Sequence, residues 1–255
     1  MNGIDDTFFS IIFYPMKFFE KNVKKSNINK VVLWNNNSKK VLFILPQWMG
    51  RMVFYKILLN KLKKNYTIVF YRLPNRLLTD DPKEVIKYFK VAKKDVIETA
   101  DTLVNQGYEN FSIFGTSLST IIALMVANSD NRFKKIILSL PGNDFAQCFW
   151  ECKQLLVKTI RNKMQANNIG LIELKKYWKN LAPINNINNI NKRKILVFLA
   201  KNDKVVFYKY GVELLRSMEK RKINFEFDIN NVFGHYLSGL KPLLFPKKIA
   251  KFLED

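Results

Sequence analysis

Apolar residues recur along this chain with two different periods, and the alternation between them lays out its elements. Short β-rich runs at residues 31–34 and 41–45 flank Asn35-Asn-Asn-Ser38, a turn signal. Beyond Pro46-Gln47-Trp48-Met49-Gly50, residues 53–62 read as a helix and residues 66–71 as a strand. Over residues 82–107, Val85, Phe89, Ala92, Val96 and Ala100 fall at helical spacing, with Asp81-Pro82 suited to the first turn and Gly107 to the stop. A strand at 111–114, a helix at 120–127 and a strand at 135–140 follow. Residues 144–182 break the rhythm with a helical insertion carrying Phe149, Trp150 and Trp178. The late chain then gives a strand at 195–200, a helix to about residue 218, a last strand at 224–229 and a closing helix at 246–253.

Strands alternating with helices imply a mostly parallel sheet with helices on both faces. No internal repeat or interdomain linker interrupts the pattern. The expected organisation is therefore an N-terminal apolar and basic segment, 1–30, and one α/β domain, 31–255, with its insertion at about 144–182. A chain of 255 residues that is 48% hydrophobic can bury one such core.

Charge and cysteine content narrow the picture. The formal net charge is +22, from 43 Lys and Arg against 21 Asp and Glu. The lysines are scattered through every segment, and Ile184-Asn-Asn-Ile-Asn-Asn-Ile-Asn191 shows the same Lys, Asn and Ile bias that AT-rich coding produces. No RNP-like, zinc-finger or heptad pattern accompanies them, so a nucleic-acid partner is not expected, and weak peripheral contact with an anionic membrane is. The apolar stretch 8–19 reaches about 18 Å as a helix, short of the roughly 30 Å hydrocarbon layer, and does not span a membrane. Cys148 and Cys152 are too few for a disulfide framework, and one histidine is too few for a metal site, so no cofactor or metal is expected. Two reduced cysteines fit a cytoplasmic location.

Between the strand at 111–114 and the helix at 120–127 sits Gly115-Thr116-Ser117-Leu118-Ser119. Strand, tight turn and helix is the setting of a nucleophile elbow, with Ser117 at its tip and small residues at its flanks. His235, the only histidine, follows the last strand in a Gly234-His235 turn. Asp203 directly follows the strand before it, where strand ends meet in an open parallel sheet. Asp144 is a reserve candidate for the acid.

On these pieces the sequence resembles the α/β-hydrolase superfamily, over about residues 31–253. The matching pieces are Phe43-Ile-Leu-Pro46-Gln47-Trp48, the Ser117 elbow, Leu199-Ala-Lys-Asn-Asp203-Lys-Val-Val206 and Gly234-His235, in the order Ser, Asp, His. Two departures stand out: Ser119 replaces the second elbow glycine, and Pro46-Gln47 replaces a His-Gly pair. The resemblance implies an α/β-hydrolase fold with a helical cap inserted after strand 6. It implies an oxyanion hole from the Leu118 N–H and one N–H of the Gln47–Trp48 turn. It further implies a serine hydrolase acting on a small acyl ester or thioester through an acyl-enzyme. Trp48, Phe149 and Trp150 are candidates to line the acyl pocket, with core packing as the competing role. An acyltransferase using the same triad, or an inactive scaffold serving as a binding or membrane-surface module, are the alternatives.

Overall fold

A computed structural model describes residues 29–74 and 77–255. The expectation of an apolar segment over 1–30 therefore falls almost entirely outside the described residues. Seven strands form one sheet in the order β1-β3-β2-β4-β5-β6-β7. They are β1 (Asn29–Leu33), β2 (Lys40–Leu45), β3 (Thr67–Arg72), β4 (Asn110–Thr116), β5 (Phe133–Ser139), β6 (Lys194–Ala200) and β7 (Phe225–Asn230). All neighbours pair parallel except β1, which runs antiparallel along β3. This is the doubly covered, mostly parallel sheet that the alternating pattern predicts.

The inner strands are apolar on both sides, because each side meets helices, while the edge strands β1 and β7 are largely exposed or partly polar. In β2, Val41, Phe43 and Leu45 enter one core cluster while Leu42 and Ile44 enter the other. The larger cluster is closed by α2 (Pro82–Asn105), α3 (Ser119–Ser129) and α7 (Tyr208–Lys220). The smaller is closed by α1 (Lys56–Leu62), α8 (His235–Leu244) and α9 (Lys247–Glu254). At the start of α2, Asp81 caps the helix by accepting from the N–H groups of Lys83 and Glu84, and Pro82 opens the first turn. The predicted helix over 53–62 begins instead as a 3-10 turn, Met52–Tyr55, before α1 proper.

The insertion contains α4 (Phe145–Glu151), α5 (Leu155–Ala166) and α6 (Leu171–Trp178). Among the described residues it leaves the sheet after the fifth strand, one earlier than the sixth that the resemblance implied. The difference is one of count: a single strand, β1, precedes β2 here. Nor is the insertion a detached cap. Phe145 stacks on Trp178 with ring centres 4.2 Å apart, Phe149 meets the same indole edge-on, and Trp178 Nε1 donates to Pro82 O at 3.2 Å. The two helices α4 and α6 are thereby part of the main core.

The strand order places the site. Chain direction across the sheet reverses around β2, which lies between β3 and β4, and such switch points open a crevice at the C-terminal strand ends. Leu45 pairs with Gly115, so the loop leaving β2 emerges beside the loop leaving β4. At that point α3 nearly touches β4: a Cβ on Gly115 would lie 2.8 Å from Ser119 O and 2.9 Å from Thr120 Cα. Both are backbone atoms and cannot step aside. Gly115→Ala is accordingly expected to lose about 1–3 kcal/mol in urea unfolding, the usual range for forced overpacking, with the change in midpoint and not in slope.

Candidate active site

Ser117 follows β4 with φ of 54°, in the left-handed region that L residues adopt at a cost of order 1–3 kcal/mol. Local hydrogen bonds hold it there. Its N–H donates to Ser139 O at the end of β5 at 2.7 Å, and its carbonyl accepts from Thr120 Oγ1 at 2.6 Å. This is the strand–turn–helix elbow read from the sequence. The nine residues Ser119 to Ala127 of α3 are all buried, so the helix behind the serine is enclosed by the domain.

Ser119 proves to be integrated into the core. Its side chain is fully buried; its hydroxyl accepts from the Thr116 N–H at 2.9 Å. It lies 2.6 Å from Leu45 O and 2.9 Å from Thr116 O, to one of which it donates. A glycine there would leave the end of β2 unlinked to the elbow.

The imidazole and the carboxylate converge on Ser117. His235 Nε2 lies 3.0 Å from Ser117 Oγ, and His235 Nδ1 lies 2.7 Å from Asp203 Oδ2. Asp203 Oδ1 accepts from the N–H groups of Val205 and Val206, both at 2.8 Å, which fixes the carboxylate and leaves Oδ2 to the ring. With Asp203 accepting at Nδ1, the proton belongs on that nitrogen and Nε2 is left to accept from the serine hydroxyl. Where the sequence suggests a turn, His235 is the first residue of α8, with Gly234 as its N-cap in an extended conformation. Asp144, the reserve acid, is otherwise engaged: its Oδ1 caps α4 by accepting from the Gln147 N–H, and its Oδ2 lies 3.8 Å from Lys175 Nζ.

The loop after β2 is a tight turn. Gly50 N donates to Gln47 O at 2.7 Å, and Met49 takes a φ of 62°. Beneath it Tyr55, fully buried, shares its hydroxyl between Gln47 Oε1 and Thr116 Oγ1, each at 3.3 Å. Burial pushes this phenol well above its ordinary pKa, so it remains a neutral hydroxyl. Tyr55 thus links the two loops from which oxyanion donors are expected, and neither periodicity nor motif singled it out. Leu118, at the N-terminal end of α3, faces the same space as Gln47 and Trp48.

These groups open into a cavity of about 110 Å³. Trp48 and Phe149 line it as expected; Trp150 does not, packing instead against the main core. Leu78, Ile121, Val157, Cys148 and Cys152 also line the cavity and were not foreseen. The four-residue spacing of the cysteines was the available signal, since it brings both thiols to one side of α4. Both are free, and burial raises both thiol pKa values, so they present as apolar surface. Among the described residues, His235 is the one ionisable imidazole, amine or carboxyl side chain in the lining. Among the described residues no cluster of three or more His, Cys, Asp or Glu could hold a metal ion.

The buried hydroxyl of Ser119 gives a direct test of how the elbow is held. Ser119→Ala should destabilise the fold by about 1–3 kcal/mol in thermal or urea unfolding, because the Thr116 N–H and one of the two carbonyls lose a buried partner. A neutral result would remove the hydroxyl from the support of Ser117.

Residues 87–254 match the model of the prolyl oligopeptidase family. The chain is 23% identical over 172 residues to the inactive dipeptidyl peptidase 10 of Rattus norvegicus, a match covering 65% of this chain and 20% of that protein's length. Among solved structures, it is similar to an acetyl xylan esterase from Paenibacillus sp. R4, with a TM-score of 0.69 at 16% identity, covering 85% of this chain and 74% of that one. A puromycin-hydrolyzing peptidase of Mycobacterium tuberculosis gives a TM-score of 0.61 at 12% identity, covering 84% and 34%. The sheet order, the elbow and the match over most of its length together place this chain in the prolyl oligopeptidase family, on an α/β-hydrolase fold.

Proposed function

We propose that this member of a serine hydrolase family cleaves an ester or thioester of an uncharged, apolar acyl group, through an acyl-enzyme on Ser117. The observation that carries the reading is the hydrogen-bonded series Ser117–His235–Asp203 opening into a cavity whose lining is otherwise uncharged. A neutral hydroxyl is a poor nucleophile, so His235 Nε2 takes the Ser117 proton as Oγ attacks the acyl carbon. The N–H groups of Leu118 and of the Gln47–Trp48 turn stabilise the oxyanion. Collapse expels the alcohol or thiol, which receives the proton from His235. Water then attacks the acyl carbon while giving a proton to the same nitrogen, and the acyl–Oγ bond breaks as that proton returns to Ser117 Oγ, releasing the acid. Asp203 keeps the imidazole oriented and stabilises its charged form without taking the proton.

The family match also admits a peptide substrate, since an amine leaving group could be protonated by the same imidazole. The lining favours the ester or thioester: its described residues offer no fixed charge to hold the terminus of a peptide. The inactive relative raises the reading of a scaffold without turnover. Against it, Ser117, His235 and Asp203 are all present in this chain and within hydrogen-bond distance.

A fluorophosphonate probe should label the protein, and Ser117→Ala should abolish labelling and lower kcat by several orders of magnitude while leaving stability nearly unchanged. p-Nitrophenyl and thioester substrates of increasing acyl length should be hydrolysed in preference to amino-acyl p-nitroanilides. Labelling with turnover only after an acceptor alcohol is added would make the protein a transferase, and no labelling would make it a scaffold. His235→Ala should cost as much as Ser117→Ala, with Asp203→Asn adding little to it, because the three groups act as a unit.

Tyr55→Phe should lower kcat several-fold with KM nearly constant, since it frees the Gln47 loop without touching the cavity wall. An equal fall in Ser117 labelling and in kcat would place the defect in nucleophile activation instead.

A further inference from the structure

Three segments border the mouth of the cavity, and two of them carry apolar side chains into solvent. The first starts α5, where Leu155 is 78% exposed and Leu156 43%. The second is the loop before His235, where Val232 is 73% exposed and Phe233 42%; Leu237, one turn further, is also exposed. These two are tied together at the cavity itself, because Gln154 Nε2 donates to Tyr236 Oη at 2.8 Å and both residues line it. The third is the loop carrying Asp203. Asn202 Nδ2 donates to Asn231 O and Val232 O, each at 3.1 Å, which seats the Val232–Phe233 tip against it.

The same three segments are lopsided in charge. Residues 152–161, 201–209 and 231–241 hold seven Lys or Arg and one acidic residue, Asp203, which is buried against His235. The nearby Glu151 is already paired with Lys209 at 2.8 Å. Lys153 and Lys209 both lie within 6 Å of the Phe207 ring, placing ammonium groups at the apolar rim. A second copy of the chain would bring this positive rim against itself. A nucleic acid would meet the charge but gain nothing from exposed leucines. An anionic lipid surface satisfies both features, with headgroups facing the lysines and acyl chains receiving Leu155, Val232 and Phe233.

We infer that the rim of the cavity docks on an anionic lipid surface, so that the mouth opens onto the layer from which an acyl ester would be drawn. The docking stands on the rim alone; that the drawn molecule is cleaved rests on the proposed hydrolase reading. The test separates the two. Full-length protein should sediment with vesicles of phosphatidylcholine containing phosphatidylglycerol and much less with phosphatidylcholine alone, binding falling steeply between about 50 and 300 mM salt. Ser117→Ala should bind as the parent does, whatever becomes of turnover. Leu155→Ser combined with Val232→Ser should weaken vesicle binding by at least about tenfold, and Lys153→Glu combined with Lys204→Glu should weaken it comparably. In both double variants the melting temperature should stay within about 3 °C of the parent's, and the rate on a water-soluble short-chain ester or the probe-labelling rate within about twofold. The inference is overturned by vesicle binding that these variants leave intact, by equal binding to both vesicle types, by no binding, or by a rim-dependent dimer in place of lipid binding.

Discussion

The approach of α3 to β4 at Gly115 is the constraint on which the site depends. Without a side chain there, the helix backbone comes close enough for the chain to turn within a single residue, and that residue is Ser117 in a left-handed conformation. Ser119 then converts proximity into attachment, its hydroxyl joining the elbow to the last carbonyl of β2. Two loops from neighbouring parallel strands are thus held in fixed relation by one absent Cβ and one buried hydroxyl. The strain at Ser117 persists because bonds from β5 and α3 over-determine it.

Much of this was legible in the sequence, for physical reasons that can be named. Strands buried on both faces read as unbroken apolar runs, and Asp81-Pro82 announces a helix start because it satisfies backbone donors there. The elbow, Asp203 and His235 were legible because their chemistry requires particular residues at strand ends in a particular order. What stayed hidden depends on contacts between distant segments. Tyr55 sits in an ordinary helical pattern, and only the fold brings its hydroxyl to Gln47 and Thr116. Phe149 and Trp150 are adjacent in sequence but about 100° apart around the helix, so Phe149 lines the cavity as well as the core while Trp150 only packs, half-buried, against the core. Ser119 looked like a defect in a motif because its three hydrogen-bonding neighbours, one of them 74 residues away, are invisible in the local string.

The high positive charge also reads differently in three dimensions. Along the sequence it is uniform and suggests compositional drift. Around the cavity it is joined to exposed aliphatic side chains, and the one acidic group in those segments is withdrawn into the site. A bias that is neutral over most of the surface therefore acquires a direction where the apolar rim lies. Over its matched region the chain spans only 20% of the length of the curated relatives.

His235 has a consequence beyond its place beside Ser117. It is the only imidazole among 255 residues. Its ring protons and nitrogens give magnetic resonance signals in a region shared with no other histidine, so they are assigned without mutagenesis or labelling schemes. Because one ring nitrogen faces Asp203 and the other faces Ser117, those few signals observe both neighbours at once. The protein carries a built-in spectroscopic reporter at the centre of its site, and occupancy of the cavity can be followed there in a molecule with no foreign group attached.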